Sequence, residues 1–513
     1  MTAAHKNVYE ELIDQMMIEE VSGLDKDIRE TLEGLSTNKK RMAILSILDK
    51  DRDLFLKVKN MMKDETLGKY HYSKEIVKML REYVKVGEVE KKAFGEVMTP
   101  IYMVQEMLDT LPKSTWSNPN IKFLDPCAGV GIFPSIIVNR LMYGLKEFEP
   151  NEELRYKHIV ENQLFVGELQ AKNMFLFLCA FDPEDKYALN IYNGSFLDEG
   201  FDNHMKGVWE VDKFDVIAMN SPYQTPIDGN NRMKTLYNLF IGKSLELSEK
   251  VLSIHPSRWM AGGFGLDDFR DGMFKRTDIK LIQHFDDARA IFGNNVEIKG
   301  GVQYLLIDKA YKGEVSCNGV KCNLTNYDIF VEPKFYTLIE KISKEKSLST
   351  ICKSKSYWMN FNDNTLDLQK EDNNLLCYVS QNKGLKKYIP TNKIPKNSMI
   401  NIDKYKVFTP YATGSTGNLG YFGNKIIGLP QETCSNTYMT FFVNSKEEAE
   451  SLVSYMSTEF CQFLLSLRKN TQNMKPDTMK WIPLVPFDRA WSDEMLFDYF
   501  KLSQKEINLI FDK

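Results

Sequence analysis

The chain has 513 residues, 43% hydrophobic and 27% charged, with a net charge of −4. That length exceeds one typical core and predicts two or three domains, and no apolar run approaches the ~18 residues that span a bilayer, so no membrane association is expected. The bulk charge excludes a uniformly basic coat but leaves room for a local basic face.

No basic, apolar, small-residue series opens the chain, and its eight cysteines are scattered, which together predict a cytoplasmic protein with reduced thiols. Cys317 and Cys322 lie close together. With no second pair or nearby histidine, buried thiols are expected there and no structural metal.

In chain order, residues 1–90 read as a helical region, because apolar positions recur at three- and four-residue spacing through Tyr9, Leu12, Ile13, Met16 and Met17 among many Glu and Lys. From Ile121 to Lys309 short β-rich runs alternate with helical stretches: Ile121–Leu124, Leu164–Val166, Phe214–Met219, Val251–Ile254, Leu281–Phe285 and Val302–Ile307. This alternation predicts an α/β domain with a doubly wound parallel sheet. Asn, Lys and aromatic residues become frequent from Tyr311, and Pro, Gly, Ser and Thr punctuate Tyr388 to Gln431, predicting a separate loop-rich domain. Near the end, Glu459 to Leu467 carries an apolar helical face, and Ser503-Gln504-Lys505-Glu506 has capping-box spacing.

Three strand ends carry the candidate chemistry. The first runs into Asp125-Pro126-Cys127-Ala128-Gly129-Val130-Gly131, a glycine turn that lets backbone approach a nucleoside-sized ligand. It lacks both Gly-x-Gly-x-x-Gly and a Gly-Lys-Ser/Thr ending, and such a turn in isolation is as often structural. The second ends in Glu168, placed to accept hydrogen bonds from ribose hydroxyls, although solvated glutamates at strand ends are common. The third ends in Asn220-Ser221-Pro222-Tyr223. The exocyclic amine of an aromatic base is a poor nucleophile; the Asn220 oxygen and the Ser221 or Pro222 carbonyl are neutral acceptors able to hold it as positive charge develops. Tyr223 offers a face on which an extruded base can stack. His255 and His284 are expected to be satisfied core or rim histidines.

The order Phe94-Gly95-Glu96-Val97-Met98-Thr99-Pro100, then the glycine turn, then Asn220-Ser221-Pro222-Tyr223 resembles the gamma-class N6-adenine DNA methyltransferases of bacterial and phage restriction-modification systems. Further similarity lies in His255-Pro256-Ser257-Arg258-Trp259 with Gly262-Gly263, in Ile298-Lys299-Gly300-Gly301-Val302, and in Trp491-Ser492-Asp493-Glu494. The resemblance implies a Rossmann-like methyltransferase domain over residues 91–312 and an α+β target-recognition domain over 313–513. It implies S-adenosyl-L-methionine as cofactor, lined by Phe94, Thr99, Pro100, Asp125, Ala128, Gly129, Gly131, Glu168 and Ser195, and base flipping with the adenine held by Asn220, Pro222 and Tyr223. Double-stranded DNA is the implied partner, with a restriction nuclease as a further one. Two positions depart from the family pattern: Ser221 replaces the usual proline, and Ser195 stands where an acidic residue is usual, with Asp198 as its alternative.

Between Gln381 and Pro410, Lys383, Lys386, Lys387, Lys393, Lys396, Lys404 and Lys406 face the single carboxylate Asp403, with Tyr388 and Tyr405 interleaved. This run suits phosphate contacts or a plain solvated face. The stretch Thr413-Gly414-Ser415-Thr416-Gly417-Asn418 is expected at a groove or the site's mouth, and Gln472, Asn473 and Lys475 are candidate base or phosphate readers. An RNA or protein-glutamine methyltransferase and an inactive DNA-binding subunit stay open as alternatives.

Overall fold

The computed structural model describes residues 99–182, 186–227, 230–263, 265–293, 296, 298, 300–329, 331–343, 346–357, 372–380, 385–413, 421–469 and 473–511. The expected helical region at 1–90 and Phe94 therefore lie outside the described residues. Two units divide the chain, with the break between Asp328 and Ile329.

In the first unit, α1 (Ile101–Asp109) precedes β1 (Phe123–Asp125), α2 (Ile132–Gly144), β2 (Leu164–Glu168), α3 (Ala171–Phe181), β3 (Asn190–Asn193) and β4 (Phe214–Asn220). A two-stranded ribbon, β5 (Gln224–Ile227) and β6 (Asn230–Thr235), leads to α4 (Tyr237–Leu247), β7 (Ser248–Pro256), β8 (Ile279–Phe285), β9 (Val302–Asp308), β10 (Val315–Cys317) and β11 (Val320–Cys322). Nine strands form one sheet in the order β11-β10-β8-β9-β7-β4-β1-β2-β3.

The five strands from β3 to β7 are mutually parallel, as the alternation predicts. β9 departs from a wholly parallel sheet: it pairs antiparallel with both β7 and β8. Consecutive strands such as β8 and β9 can pair antiparallel without a helical crossover. β10 then pairs parallel with β8 and antiparallel with β11, so this unit continues past residue 312, the boundary expected from the resemblance and the composition shift at Tyr311. The Cys317 and Cys322 thiols lie buried on this hairpin, 3.3 Å apart.

Strands of a sheet covered on both faces read as apolar runs, and β4 and β9 are such runs, buried along almost their whole length. The helices α2 and α3, which pack against β2, are correspondingly apolar: α3 buries ten of its residues, from Ala171 to Phe181, and α2 buries Ile132, Phe133, Ile136, Ile137 and Leu141. Gly131 permits this packing. Its φ is 95°, and a Cβ there would stand 2.7 Å from Phe181 Cε2 and 2.8 Å from Phe177 Cδ2.

The second unit holds a four-stranded sheet ordered β12-β18-β15-β16 and a three-stranded sheet ordered β14-β13-β17. Its strands are β12 (Cys352–Ser354), β13 (Asn374–Ser380), β14 (Leu385–Pro390), β15 (Tyr405–Pro410), β16 (Ile426–Gly428), β17 (Thr433–Cys434) and β18 (Tyr438–Val443). Helices α5 (Lys446–Tyr455), α6 (Glu459–Arg468) and α7 (Gln504–Phe511) follow, giving an α+β unit.

Candidate active site

The three strand ends converge on one cleft of about 250 Å³. β1 delivers Asp125, which is buried and accepts the Cys127 N–H on Oδ1 at 3.2 Å. The turn is tied to β2 where Ala128 N donates to Gly167 O at 3.0 Å. Gly167 allows that approach, since a Cβ there would lie 3.1 Å from Pro126 O. Gly129 adopts φ 55°, and a Cβ on it would meet nothing within 4 Å, so the turn presents bare backbone to open space.

β2 ends in Glu168, whose carboxylate accepts Gly129 N on Oε2 and Gln170 N on Oε1, each at 2.8 Å. These bonds fix the carboxylate at the cleft wall. Burial pushes the Asp125 carboxyl well above the usual carboxylate range, and the neighbouring Glu168 charge adds to the effect. The end of β3 is tied to Glu168: the Gly194 backbone N–H and the Asn193 side-chain Nδ2 both donate to Glu168 O at 2.9 Å, and Ser195 follows on the wall.

β4 ends in Asn220, whose Nδ2 donates to Thr99 Oγ1 at 2.8 Å. The Cys127 thiol donates to the Asn220 carbonyl at 3.3 Å. Ser221 and Pro222 line the cleft next to it.

Thr99, Asp125, Ala128, Gly129, Glu168, Ser195, Asn220 and Pro222, all singled out in the sequence, therefore share one cavity. Three others lie off its wall. Pro100 heads α1, its carbonyl accepting Met103 N and Val104 N. Gly131 is turned toward α3. Tyr223 is only 8% exposed, and burial pushes its phenol pKa upward, with the adjacent Asn220 side chain offsetting part of the rise. Tyr223 is absent from the wall of the cleft, where a stacking face is expected. Asp198, the alternative to Ser195, is absent from the wall and heads the helix Glu199–Gly207.

Sequence reasoning missed Leu169, Gln170, Phe196 and Leu197, which line the cleft directly after Glu168 and Ser195. Adjacency to a strand-end motif was the available signal. Asn173 on α3 and Phe240 on α4 also reach the wall, and only the fold places them there. His255 is fully buried, its ring within hydrogen-bond distance of Ser253 Oγ at 3.2 Å and Gln303 Nε2 at 3.0 Å, and burial lowers its pKa to about 3. It is a neutral core histidine.

In the second unit Lys393, Lys396 and Lys404 are exposed, and Lys386 stands 4.9 Å from the Tyr378 ring centroid. Lys406 corrects the expected basic face. It is buried on β15, donating to Ile402 O at 2.7 Å and Leu429 O at 3.2 Å, because carbonyls ring its ammonium inside the core. Lys383, Gln472 and residues 414–418 lie outside the described residues.

Comparison with known proteins bears on this arrangement. Residues 131–292 match the family model of the Eco57I restriction-modification methylase. The likeness to restriction-modification methylases is thus shown. A protein of Mycoplasma pneumoniae called an uncharacterized adenine-specific methylase is 28% identical over 294 residues, covering 44% of this chain and 69% of that one. Among solved structures, a modification subunit of a type I restriction enzyme from Vibrio vulnificus aligns at 13% identity and TM-score 0.33, over 57% of this chain and 55% of that one. The type ISP restriction-modification enzyme LlaBIII aligns at 13% identity and TM-score 0.42, over 94% of this chain and 46% of that one. At such scores the architecture rests on this chain's own strand order. The methylase match covers the sheet from the glycine turn to the helix before β9, and so includes Glu168, Ser195 and Asn220. Among the described residues no helix is long and apolar enough to cross a membrane.

Proposed function

We propose that this chain is a DNA adenine-N6 methyltransferase that uses S-adenosyl-L-methionine. One observation carries the reading: the Asn220 amide, oriented by Thr99, lines the same cleft as the bare Gly129 turn and Glu168. The adenine specificity in the name of the Mycoplasma pneumoniae relative supports it.

The residues fit the cofactor. Glu168 would accept hydrogen bonds from ribose hydroxyls at the end of β2, Gly129 offers backbone with open space beside it, and Val130, Ile132, Phe133, Leu169 and Phe196 give apolar walls for a purine. When bound, S-adenosyl-L-methionine supplies an electrophilic methyl group on a sulfonium. Asn220 and the adjoining peptide carbonyl act on the other reactant, accepting hydrogen bonds from the amino group of a flipped adenine and stabilising positive charge as its nitrogen attacks. Because both acceptors are neutral, neither must first be ionised. The transferred methyl replaces one amino hydrogen, which leaves as a proton.

Double-stranded DNA is the partner this reading requires, in a cytoplasmic setting, and the exposed lysines of the second unit offer it phosphate contacts. A restriction nuclease as a second partner rests on the family resemblance.

The test is transfer of labelled methyl to DNA, RNA and protein in parallel, followed by nucleoside mass spectrometry. N6-methyladenine in DNA is expected. Label confined to RNA or protein would overturn the assignment.

A further inference from the structure

We propose that Cys127 is a positioning residue for the transfer step: its thiol clamps the Asn220–Ser221 peptide and supplies the restraint that a proline at 221 would give. The inference rests on the methyltransferase reading of the cleft.

β4 leaves the sheet at Asn220, whose last ladder partner is Ile254, and the ribbon begins at Gln224. The intervening Ser221, Pro222 and Tyr223 must hold the acceptor carbonyls still. Pro222 has its φ fixed by its ring, whereas Ser221 does not. Nor does the serine side chain pin the loop, because Ser221 is 1% exposed and its Oγ has no hydrogen-bond partner among the described residues.

Cys127 supplies the missing restraint. Its Sγ lies 3.3 Å from Asn220 O. A carbonyl can only accept, so the thiol is the donor in this contact, and the Asp125 side chain is a second acceptor for the same S–H. Burial, reinforced by the Asp125 and Glu168 carboxylates, pushes the thiol pKa well up and keeps it protonated and unreactive. Cys127 is itself held on both sides: its N–H donates to Asp125 Oδ1 at 3.2 Å, and the next residue, Ala128, donates to Gly167 O at 3.0 Å. The Asn220 oxygen and the Ser221 nitrogen share one planar peptide. Fixing that oxygen therefore restrains ψ of residue 220 and φ of residue 221 together, the second being the torsion a proline at 221 would fix. The cofactor-side turn and the substrate-side loop become one rigid piece.

The experiment uses the full chain and the variants Cys127→Ala and Cys127→Ser, alone and in a Ser221→Pro background. Loss of one such bond is expected to lower kcat about 3- to 10-fold in Cys127→Ala while KM for the methyl donor changes less than about twofold. Cys127→Ser keeps a donor and is expected to return kcat to within about twofold of the native chain. Deuterium uptake across residues 218–225, measured without DNA or methyl donor, should rise in Cys127→Ala and stay native in Cys127→Ser. With proline at 221, the alanine change should neither lower kcat nor raise uptake appreciably. Native kcat and native uptake in Cys127→Ala would overturn the proposal, as would a serine variant as impaired as alanine. A native chain that methylates no adenine would defeat the functional reading instead, and the uptake measurement would still judge the clamp.

Discussion

The amide nitrogen of Asn220 donates to the hydroxyl of Thr99 across 121 residues of sequence, at 2.8 Å. With its nitrogen on Thr99, the amide turns its oxygen into the acceptor the proposed chemistry needs. Replacing Thr99 with Val preserves shape and removes the acceptor. Steady-state kinetics should show kcat reduced about 3- to 10-fold, the size expected for one net hydrogen bond, with much smaller change in donor affinity.

Glu168 is held by two backbone N–H groups, those of Gly129 and Gln170. Glu168→Gln removes the charge and points an amide N–H at one of these donors. Calorimetry should report S-adenosyl-L-methionine binding about 10- to 100-fold weaker, in line with loss of a charge-assisted hydrogen bond. Affinity equal to the native chain would remove Glu168 from the cofactor site.

The two glycines of the turn should fail differently. Gly131→Ala drives a Cβ into Phe177 and Phe181 at a φ of 95°, so a loss of stability of about 1–3 kcal/mol is expected, read as a lowered Tm. Gly129→Ala meets no protein atom within 4 Å. Beyond the strain of its φ of 55°, its main effect should be weaker donor binding in calorimetry, because the methyl group enters the cleft.

Much of this arrangement was legible because the chemistry sits where apolar runs stop. The strands ending in Asp125, Glu168 and Asn220 announce themselves by composition, and topology requires neighbouring parallel strands to present their C-terminal ends on one edge. Side-chain direction was not legible. Nothing in the sequence distinguishes a tyrosine on a cleft wall from a buried one off it, and Tyr223 is 8% exposed and off the wall. Lys406 belongs to the same class of error, since a charge run records residue types and not which carbonyls surround them. The antiparallel β9 escaped because its seven residues are buried throughout and read like any central strand.

Lys406 makes a pH prediction. Burial lowers its pKa from 10.5 to about 8, against smaller opposing effects of Glu432, Cys434 and Asp403. Below pH 8 both folded and unfolded chains carry the proton, and the folded state bears the full cost of the buried ammonium. Between about pH 8 and 10.5 the unfolded chain binds more protons, so this residue's contribution to stability rises with pH. Denaturant melts of the native chain and Lys406→Met should differ increasingly in favour of the native chain across that window, on the order of 3 kcal/mol in total. A constant difference would mean that Lys406 titrates normally in the folded protein.

The most direct measurement pairs two readings on one preparation of Asn220→Ala: calorimetric binding of S-adenosyl-L-methionine, and methyl transfer to DNA detected as N6-methyladenine. Donor binding is expected to stay within about threefold of the native chain while transfer falls by at least about 100-fold, the scale of losing a preorganised acceptor at the reacting centre. Transfer persisting at the native rate would contradict the role assigned to Asn220 and the mechanism built on it.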